Sequence, residues 1–238
     1  MVKFDIDQIT YDDILKGRML LFDKPLMWTS FDVVKYIRKL LTSKFKIKKI
    51  KVGHAGTLDP LASGLLIICI GKFTKRISEY QKKTKTYTGK FKLGETTPSY
   101  DGETKVNETF SYNHIREIDL INLSKKFKGK IMQKPPIFSA LKKNGKRMYE
   151  YARENKEIKI EEREIIIYDF EIINFSSPYV EFKIKCSKGT YIRSLANDFG
   201  KKLKSGAYLK YLERYSIGEY NINNSLTIDS VSKLILNQ

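Results

Sequence analysis

The stretch Gly53-His54-Ala55-Gly56-Thr57-Leu58-Asp59-Pro60-Leu61-Ala62-Ser63-Gly64-Leu65-Leu66 carries one carboxylate, one of the chain's two histidines, three glycines and a proline. Glycine permits left-handed backbone, and proline fixes its own φ and pushes the residue before it towards extended geometry. Asp59 therefore sits on a stiff, shaped loop, which suits the presentation of one carboxylate to a substrate. A Gly-rich turn running into the apolar segment Leu65 to Ile70 is equally a common structural device. The remainder of the chain has to decide between the two.

The elements around this loop read as follows. Met19 to Phe22 is a short apolar strand, and Ser30 is positioned to cap a helix over 31–41, with Val33, Val34, Ile37, Leu40 and Leu41 as its apolar stripe. Lys24 falls in the connection, where a solvated loop cation is the plain reading. Lys44 to Lys51 alternates basic and apolar residues, as an edge strand or loop does when its charged face meets phosphates or merely water. Thr74 to Gln81 reads as a helix, and Lys85 to Leu93 as a strand that places Tyr87 between Lys85 and Lys90.

Gly94 to Glu103 is a polar loop, and 115–127 carries a helical pattern. The pair Pro135-Pro136 makes Gln133 to Lys142 a rigid loop. Tyr149 to Arg153 reads as a short helix and Arg163 to Phe175 as a long strand. Val180 to Cys186 alternates as a strand buried on one face. Ile192 to Leu203 is helical, Gly206 to Tyr215 returns to strand, and Asp229 caps a last helix to Leu236. Helices and strands mix without a βαβ rhythm, which points to an α+β fold.

Composition sets outer bounds. The 238 residues, 41% hydrophobic and 30% charged, are enough for one substantial core. No run of about 18 apolar residues reads as a membrane span. The first residues, Met1-Val2-Lys3-Phe4-Asp5-Ile6-Asp7, put acids where a secretory leader has its basic end, so the expected location is cytoplasmic. Cys69 and Cys186 read as free buried thiols, and two cysteines and two histidines scattered along the chain argue against a zinc site. A net charge of +18 favours a polyanionic partner, either nucleic acid or an anionic membrane. The wealth of Lys, Ile, Asn and Tyr is also what an AT-rich genome would impose.

Four blocks in order are similar to the signature segments of the bacterial tRNA pseudouridine-55 synthases, the TruB family. They are Asp23-Lys24-Pro25 with Trp28-Thr29-Ser30; Gly53 to Leu66; Gln133 to Lys142 with Gly145 and Tyr149; and Lys188-Gly189-Thr190-Tyr191-Ile192-Arg193-Ser194-Leu195. Gly206-Ala207 with Leu212 and Arg214 fits as well. The likeness runs from about Gly17 to Gly218.

The resemblance implies a pseudouridine-synthase fold, with a mixed, mostly antiparallel central sheet flanked by helices and a catalytic cleft across it. It implies that a T-loop uridine of tRNA is flipped out and isomerised to pseudouridine without cofactor or metal. Asp59 matches the catalytic nucleophile, attacking either sugar C1′ or base C6. Arg193 matches the arginine that pairs with it, and Tyr87 the tyrosine against the target base. His54, Tyr191 and Leu212 match further substrate-pocket positions, while Lys24 and Pro25 match the supporting loop. The partner is the tRNA T-stem-loop, and the enzyme is expected to be a monomer.

Three expectations concern what departs from that pattern. Residues 1–18 read as an N-terminal extension and 19–238 as the catalytic domain, without the separate C-terminal RNA-binding domain that many relatives carry. Met27 stands where the family usually has glycine, so a positive φ at that position would strain it. Other RNA targets, or a non-catalytic RNA-binding role, are the competing readings, and the presence of Asp59, Tyr87 and Arg193 together weighs against the latter.

Overall fold

The computed structural model describes residues 9–154, 156 and 158–236. The chain divides into two compact units, one taking the chain up to Tyr87 and again from Glu213, the other being Thr88–Leu212. The first eight residues of the expected N-terminal extension lie outside the described residues.

In the first unit, α1 (Tyr11–Lys16) leads into β1 (Arg18–Lys24), α2 (Ser30–Phe45), β2 (Val52–Ala55) and β3 (Ala62–Ile70). β1 pairs antiparallel with β3 from Arg18↔Ile70 to Lys24↔Gly64. β2 pairs antiparallel with the far end of β3, Val52↔Ile70 to Ala55↔Ile67. Successive strand residues point to opposite faces. Leu20, Phe22, Leu66, Ile68 and Ile70 accordingly pack with Val33, Val34, Ile37 and Leu41 of α2 and with Val231, Leu234 and Ile235 of the last helix, Ile228–Leu236. Met19, Leu21, Leu65, Ile67 and Cys69 pack on the other face with Tyr80 and Ile217. Helices on both sides explain why Leu65 to Ile70 is an unbroken apolar run.

Several local expectations are corrected. The cap of α2 is Thr29, whose hydroxyl accepts the Asp32 N–H at 3.0 Å while the Asp32 carboxylate accepts the Thr29 N–H at 3.0 Å. Such a capping box contributes about 1 kcal/mol, and it leaves Ser30 free for another task. α2 runs on to Phe45 and stops at Lys46, which is left-handed at φ 51. The basic stretch from Lys44 is thus a helix end followed by a loop, not an edge strand. At the last helix Thr227, not Asp229, accepts the Ser230 N–H at 3.2 Å, and Asp229 lies inside the first turn. The described part of the N-terminal stretch is also more than a polar tail: Ile9 is fully buried, and its N–H reaches the Leu234 carbonyl at 3.4 Å.

The second unit is built on Arg163–Ser176 and Tyr179–Cys186, paired antiparallel, with Gly129–Gln133 alongside the start of the first. Its core is aromatic. Phe91, Phe127, Phe170, Phe182 and Phe199 form a cluster in which the Phe91 and Phe182 ring centroids lie 4.2 Å apart. Pro135 and Pro136 follow the strand that ends at Gln133, as their missing N–H groups require. Two strands, β4 (Lys85–Leu93) and Ala207–Ile217, begin in one unit and end in the other. The strand pairings named above are antiparallel, and isolated parallel bridges occur at Phe22↔Leu226 and Asp101↔Leu209. The architecture is the expected α+β, with a mixed sheet and flanking helices.

Candidate active site

The Asp59 loop, between β2 and β3, is pinned from four directions. Ser30, at the first turn of α2, grips Leu58 twice: its Oγ accepts the Leu58 N–H at 2.8 Å and donates to the Leu58 carbonyl at 3.1 Å. The Met27 N–H donates to the Pro60 carbonyl at 2.7 Å, and the Ala62 N–H to the Asp59 carbonyl at 3.1 Å. The Arg214 guanidinium, 1% exposed, bridges the loop to the strand beyond it. Its Nε donates to the Leu65 carbonyl at 2.7 Å and its Nη2 to the Gly56 carbonyl at 3.0 Å. The Leu58 side chain is buried between these anchors. Asp59 is thus held by its neighbours' backbones, which is how a loop keeps a carboxylate within a fraction of an ångström of one geometry.

Two glycines are dictated by the approach of Arg214. Gly64 has φ +103, and a Cβ there would stand 2.6 Å from the Arg214 carbonyl oxygen. Gly56, at φ +93, turns the chain so that its carbonyl meets the guanidinium. Met27 is also left-handed, at φ 68, and its side chain is 68% exposed. The strain expected for a non-glycine residue at this position is therefore present, and little burial offsets it.

Lys24 is not a solvated loop cation. It ends β1 with no exposed surface, and its Nζ donates to the Pro25 carbonyl at 2.9 Å and the Trp28 carbonyl at 2.6 Å. The ammonium organises the turn that leads to Met27 and Ser30. Burial pushes its pKa down to about 8, opposed by the attraction of Asp59 and aided by repulsion from Arg214. His54, on β2, is pushed below the ordinary histidine range by burial and by Arg214, so it is neutral at physiological pH. Lys24, Pro25, His54 and Asp59 thus belong to one local assembly, with Arg214 at its hub. Tyr87, in β4, is buried in the same unit.

In the second unit the expected residues form another assembly. Arg193 lies in the first turn of the helix Ile192–Lys202 and is 3% exposed. Its Nη1 donates to the Ser99 carbonyl at 3.2 Å, and its Nε lies 3.5 Å from the Asp101 carboxylate. Tyr191, just before that helix, exchanges two hydrogen bonds with the Gln133 amide, at 2.9 Å and 3.0 Å, and the Arg163 guanidinium lies 4.8 Å above its ring. The Ser194 hydroxyl donates to the Lys134 carbonyl at 2.8 Å. Two blocks far apart in sequence, Gln133 to Lys142 and Lys188 to Leu195, are therefore joined. Leu212 is buried in the strand Ala207–Ile217. Among the described residues no group of three or more His, Cys, Asp or Glu side chains is gathered as for a metal ion, and no helix is long and apolar enough to cross a membrane.

Residues 39–192 match the model of the TruB family pseudouridylate synthase N-terminal domain, well over half the chain. The chain belongs to this family. It is 53% identical to the tRNA pseudouridine synthase B of Flavobacterium johnsoniae over 92% of this chain and 96% of that protein. It is 46% identical to the tRNA pseudouridine synthase B of Parabacteroides distasonis over 94% of this chain and 95% of that protein. Among solved structures it resembles a chain of a Cbf5-Nop10-Gar1 complex, with TM-score 0.67 and 27% identity, covering 92% of this chain and 55% of that one. The chain is a pseudouridine synthase with the fold of that family.

Three residues of these two assemblies carry roles beyond those the sequence assigns them. Ser30, a competent helix cap by sequence, instead clasps Leu58. Asp101 lay in what reads as a polar loop, yet it is 4% exposed and braces Arg193. Arg214 fitted the family pattern without a role. A charged residue two positions from Leu212 falls on the same strand face, and a charge on an apolar face is the sign that marks it.

Proposed function

We propose that this chain isomerises the T-loop uridine of tRNA (position 55) to pseudouridine, with Asp59 as the nucleophile and residues 19–238 as its catalytic domain. The observation that carries the reading is the Asp59 loop itself, clasped by Ser30, Met27 and Arg214 beside a buried Lys24 whose charge the carboxylate supports. The relatives named tRNA pseudouridine synthase B, matched over nearly their whole length, support tRNA as the substrate.

The chemistry balances within the nucleotide. The N1–C1′ bond breaks, the uracil turns, a C5–C1′ bond forms, the proton leaves C5 and N1 gains one. The Asp59 carboxylate attacks C1′, or adds to C6, and is released at the end. No electron enters or leaves, so the reading calls for no cofactor or metal. Arg193 takes the role of the family's active-site arginine, and within its own unit its guanidinium is anchored on Ser99 and Asp101. Tyr87 takes the role of the family tyrosine that packs against the target base, His54, Tyr191 and Leu212 take those of further substrate-pocket residues, and Pro25 that of the supporting loop. The enzyme works as a cytoplasmic monomer on the T-stem-loop. Asp59→Asn is expected to abolish pseudouridine formation on a T-stem-loop RNA and on full tRNA while leaving folding and RNA affinity intact. Near-normal turnover of this variant would overturn the assignment.

A further inference from the structure

The basic stretch after α2 shapes two adjoining clefts in the first unit. One, of about 540 Å³, is lined by Arg38, Lys48, Lys49 and Lys51 with Ile50, Val52 and Ile77 among its apolar walls. The other, of about 330 Å³, shares Lys49, Ile50 and Lys51 and adds Lys72 and Lys75, with Tyr11, Ile14 and Leu15 of α1 closing its side. Arg38 and five lysines therefore face this double cleft, and neither lining contains a carboxylate.

Elsewhere the lysines of this chain find acids. Lys83 pairs with Glu219, Lys90 with Glu181, Lys92 with Glu95 and Lys128 with Asp169. Among the described residues none of the five cleft lysines pairs with a carboxylate. Like charges held together without counter-charges raise the local potential, and a concave, partly apolar surface concentrates it.

The backbone under these cations is fixed. Ile50 and Val52 are each 7% exposed and anchor the loop in the core. The Gly71 N–H donates to the Lys51 carbonyl at 2.8 Å, and the Arg38 guanidinium to the Val52 carbonyl at 3.1 Å. The charges are thus held on a rigid floor, while the exposed lysine stems retain reach. Gly53, which also lines the larger cleft, immediately precedes His54 on β2. The cleft lies at one end of the short strand whose other end opens into the Asp59 loop.

We infer that this double cleft is a second docking site for RNA, gripping consecutive backbone phosphates while the target uridine is handled at the Asp59 loop. The inference rests on the reading of this chain as an RNA-modifying enzyme. The site contributes sequence-independent affinity: each lysine–phosphate contact releases condensed counterions, so binding weakens steeply with salt. It also gives α1 a purpose, as a wall of the smaller cleft.

The test compares wild type, the triple variant Lys48→Gln/Lys49→Gln/Lys51→Gln, and a charge-matched control, Lys125→Gln/Lys126→Gln/Lys185→Gln. Each is made in an Asp59→Asn background and titrated with a fluorescent tRNA transcript across a salt series. All replaced cleft lysines are exposed, so circular dichroism and the melting temperature should match wild type. The cleft variant is expected to bind about 10- to 100-fold more weakly at 0.1 M salt. Its plot of log K against log salt should be shallower by about 0.7 to 0.9 for each phosphate released. The control should keep the wild-type slope.

An unchanged affinity and slope in the cleft variant would overturn the inference, as would equal losses in the control, since net charge alone would then explain both. Vesicles containing phosphatidylglycerol form a further arm. If the cleft variant loses vesicle binding but not RNA binding, the ligand is a membrane and the RNA assignment fails. The readout is binding and not turnover, so a failure of Asp59 as nucleophile would leave it standing and is separately visible.

Discussion

Ser30 and Leu58 hold each other in both directions, hydroxyl to N–H at 2.8 Å and hydroxyl to carbonyl at 3.1 Å, across 28 residues of sequence. Leu58 is the neighbour of Asp59, and both Ser30 and Leu58 are buried. The contact therefore couples the start of α2 directly to the backbone that carries the carboxylate. Water cannot replace the hydroxyl there at no cost.

Ser30→Ala leaves the buried Leu58 N–H without an acceptor and the Leu58 carbonyl without its hydroxyl donor, which costs about 1–3 kcal/mol. The melting temperature should fall by several degrees, and kcat should fall by more than the stability loss explains at a temperature where the variant is fully folded. Calorimetry and single-turnover assays check the two separately. A variant that melts lower yet turns over at the wild-type rate would show that the clasp serves only folding.

Met27→Gly should stabilise the protein. A left-handed L-residue costs about 1–2 kcal/mol, while glycine gives back part of that by loosening the unfolded chain. The side chain is 68% exposed, so little burial is lost. A net gain of about 0.5–1 kcal/mol is expected, read as a rise of a few degrees in melting temperature. A fall instead would mean that the Met27 side chain contributes more than the strain it carries.

The sequence was most readable where one physical rule acts alone. The strict alternation of Val180 to Cys186 gave its strand, and the apolar run Leu65 to Ile70 gave the strand of β3 that helices cover on both faces. Helix caps were less readable, because Thr29 and Ser30 are both competent and only the position of Leu58 decides which one faces the helix. The burial of Lys24 is not legible, since a lone lysine near a turn carries no mark of it. What buries it is the meeting of the Pro25 and Trp28 carbonyls, which depends on tertiary structure. Asp101 was hidden for the same reason, its partner Arg193 lying 92 positions on.

The Lys24 ammonium predicts opposite trends for activity and stability at high pH. Its folded pKa of about 8 lies below the ordinary lysine value of 10.5. Between these values the unfolded chain binds a proton that the folded one has released, so this group makes stability rise with pH across that window; below about 8 its cost is fully present. Activity should instead decline as pH passes about 8, where the turn and Asp59 lose their nearby positive charge. A kcat profile from about pH 6 to 10 should show this basic limb without a parallel drop in melting temperature, and Lys24→Met should lack the limb. A limb that survives in Lys24→Met assigns the titration elsewhere.

Arg214 reaches two carbonyls nine residues apart, Gly56 and Leu65, with one planar guanidinium. A lysine carries all its N–H donors on one atom, so it cannot reproduce the separate Nε and Nη2 positions from which the guanidinium meets the two carbonyls. Arg214→Lys should therefore destabilise by about 2–4 kcal/mol by leaving a buried carbonyl unsatisfied, and it should slow catalysis by loosening the Asp59 loop. Arg214→Gln tests the electrostatic part. Its positive charge helps to hold both Lys24 and His54 below their ordinary pKa values, so its removal should move both upward. The shift is directly visible in the imidazole signals of His54 in a proton-detected NMR titration. An upward move of His54 is the expected result. If His54 titrates as in wild type, Arg214 acts on the loop through hydrogen bonds only, and its electrostatic link to Lys24 and His54 is wrong.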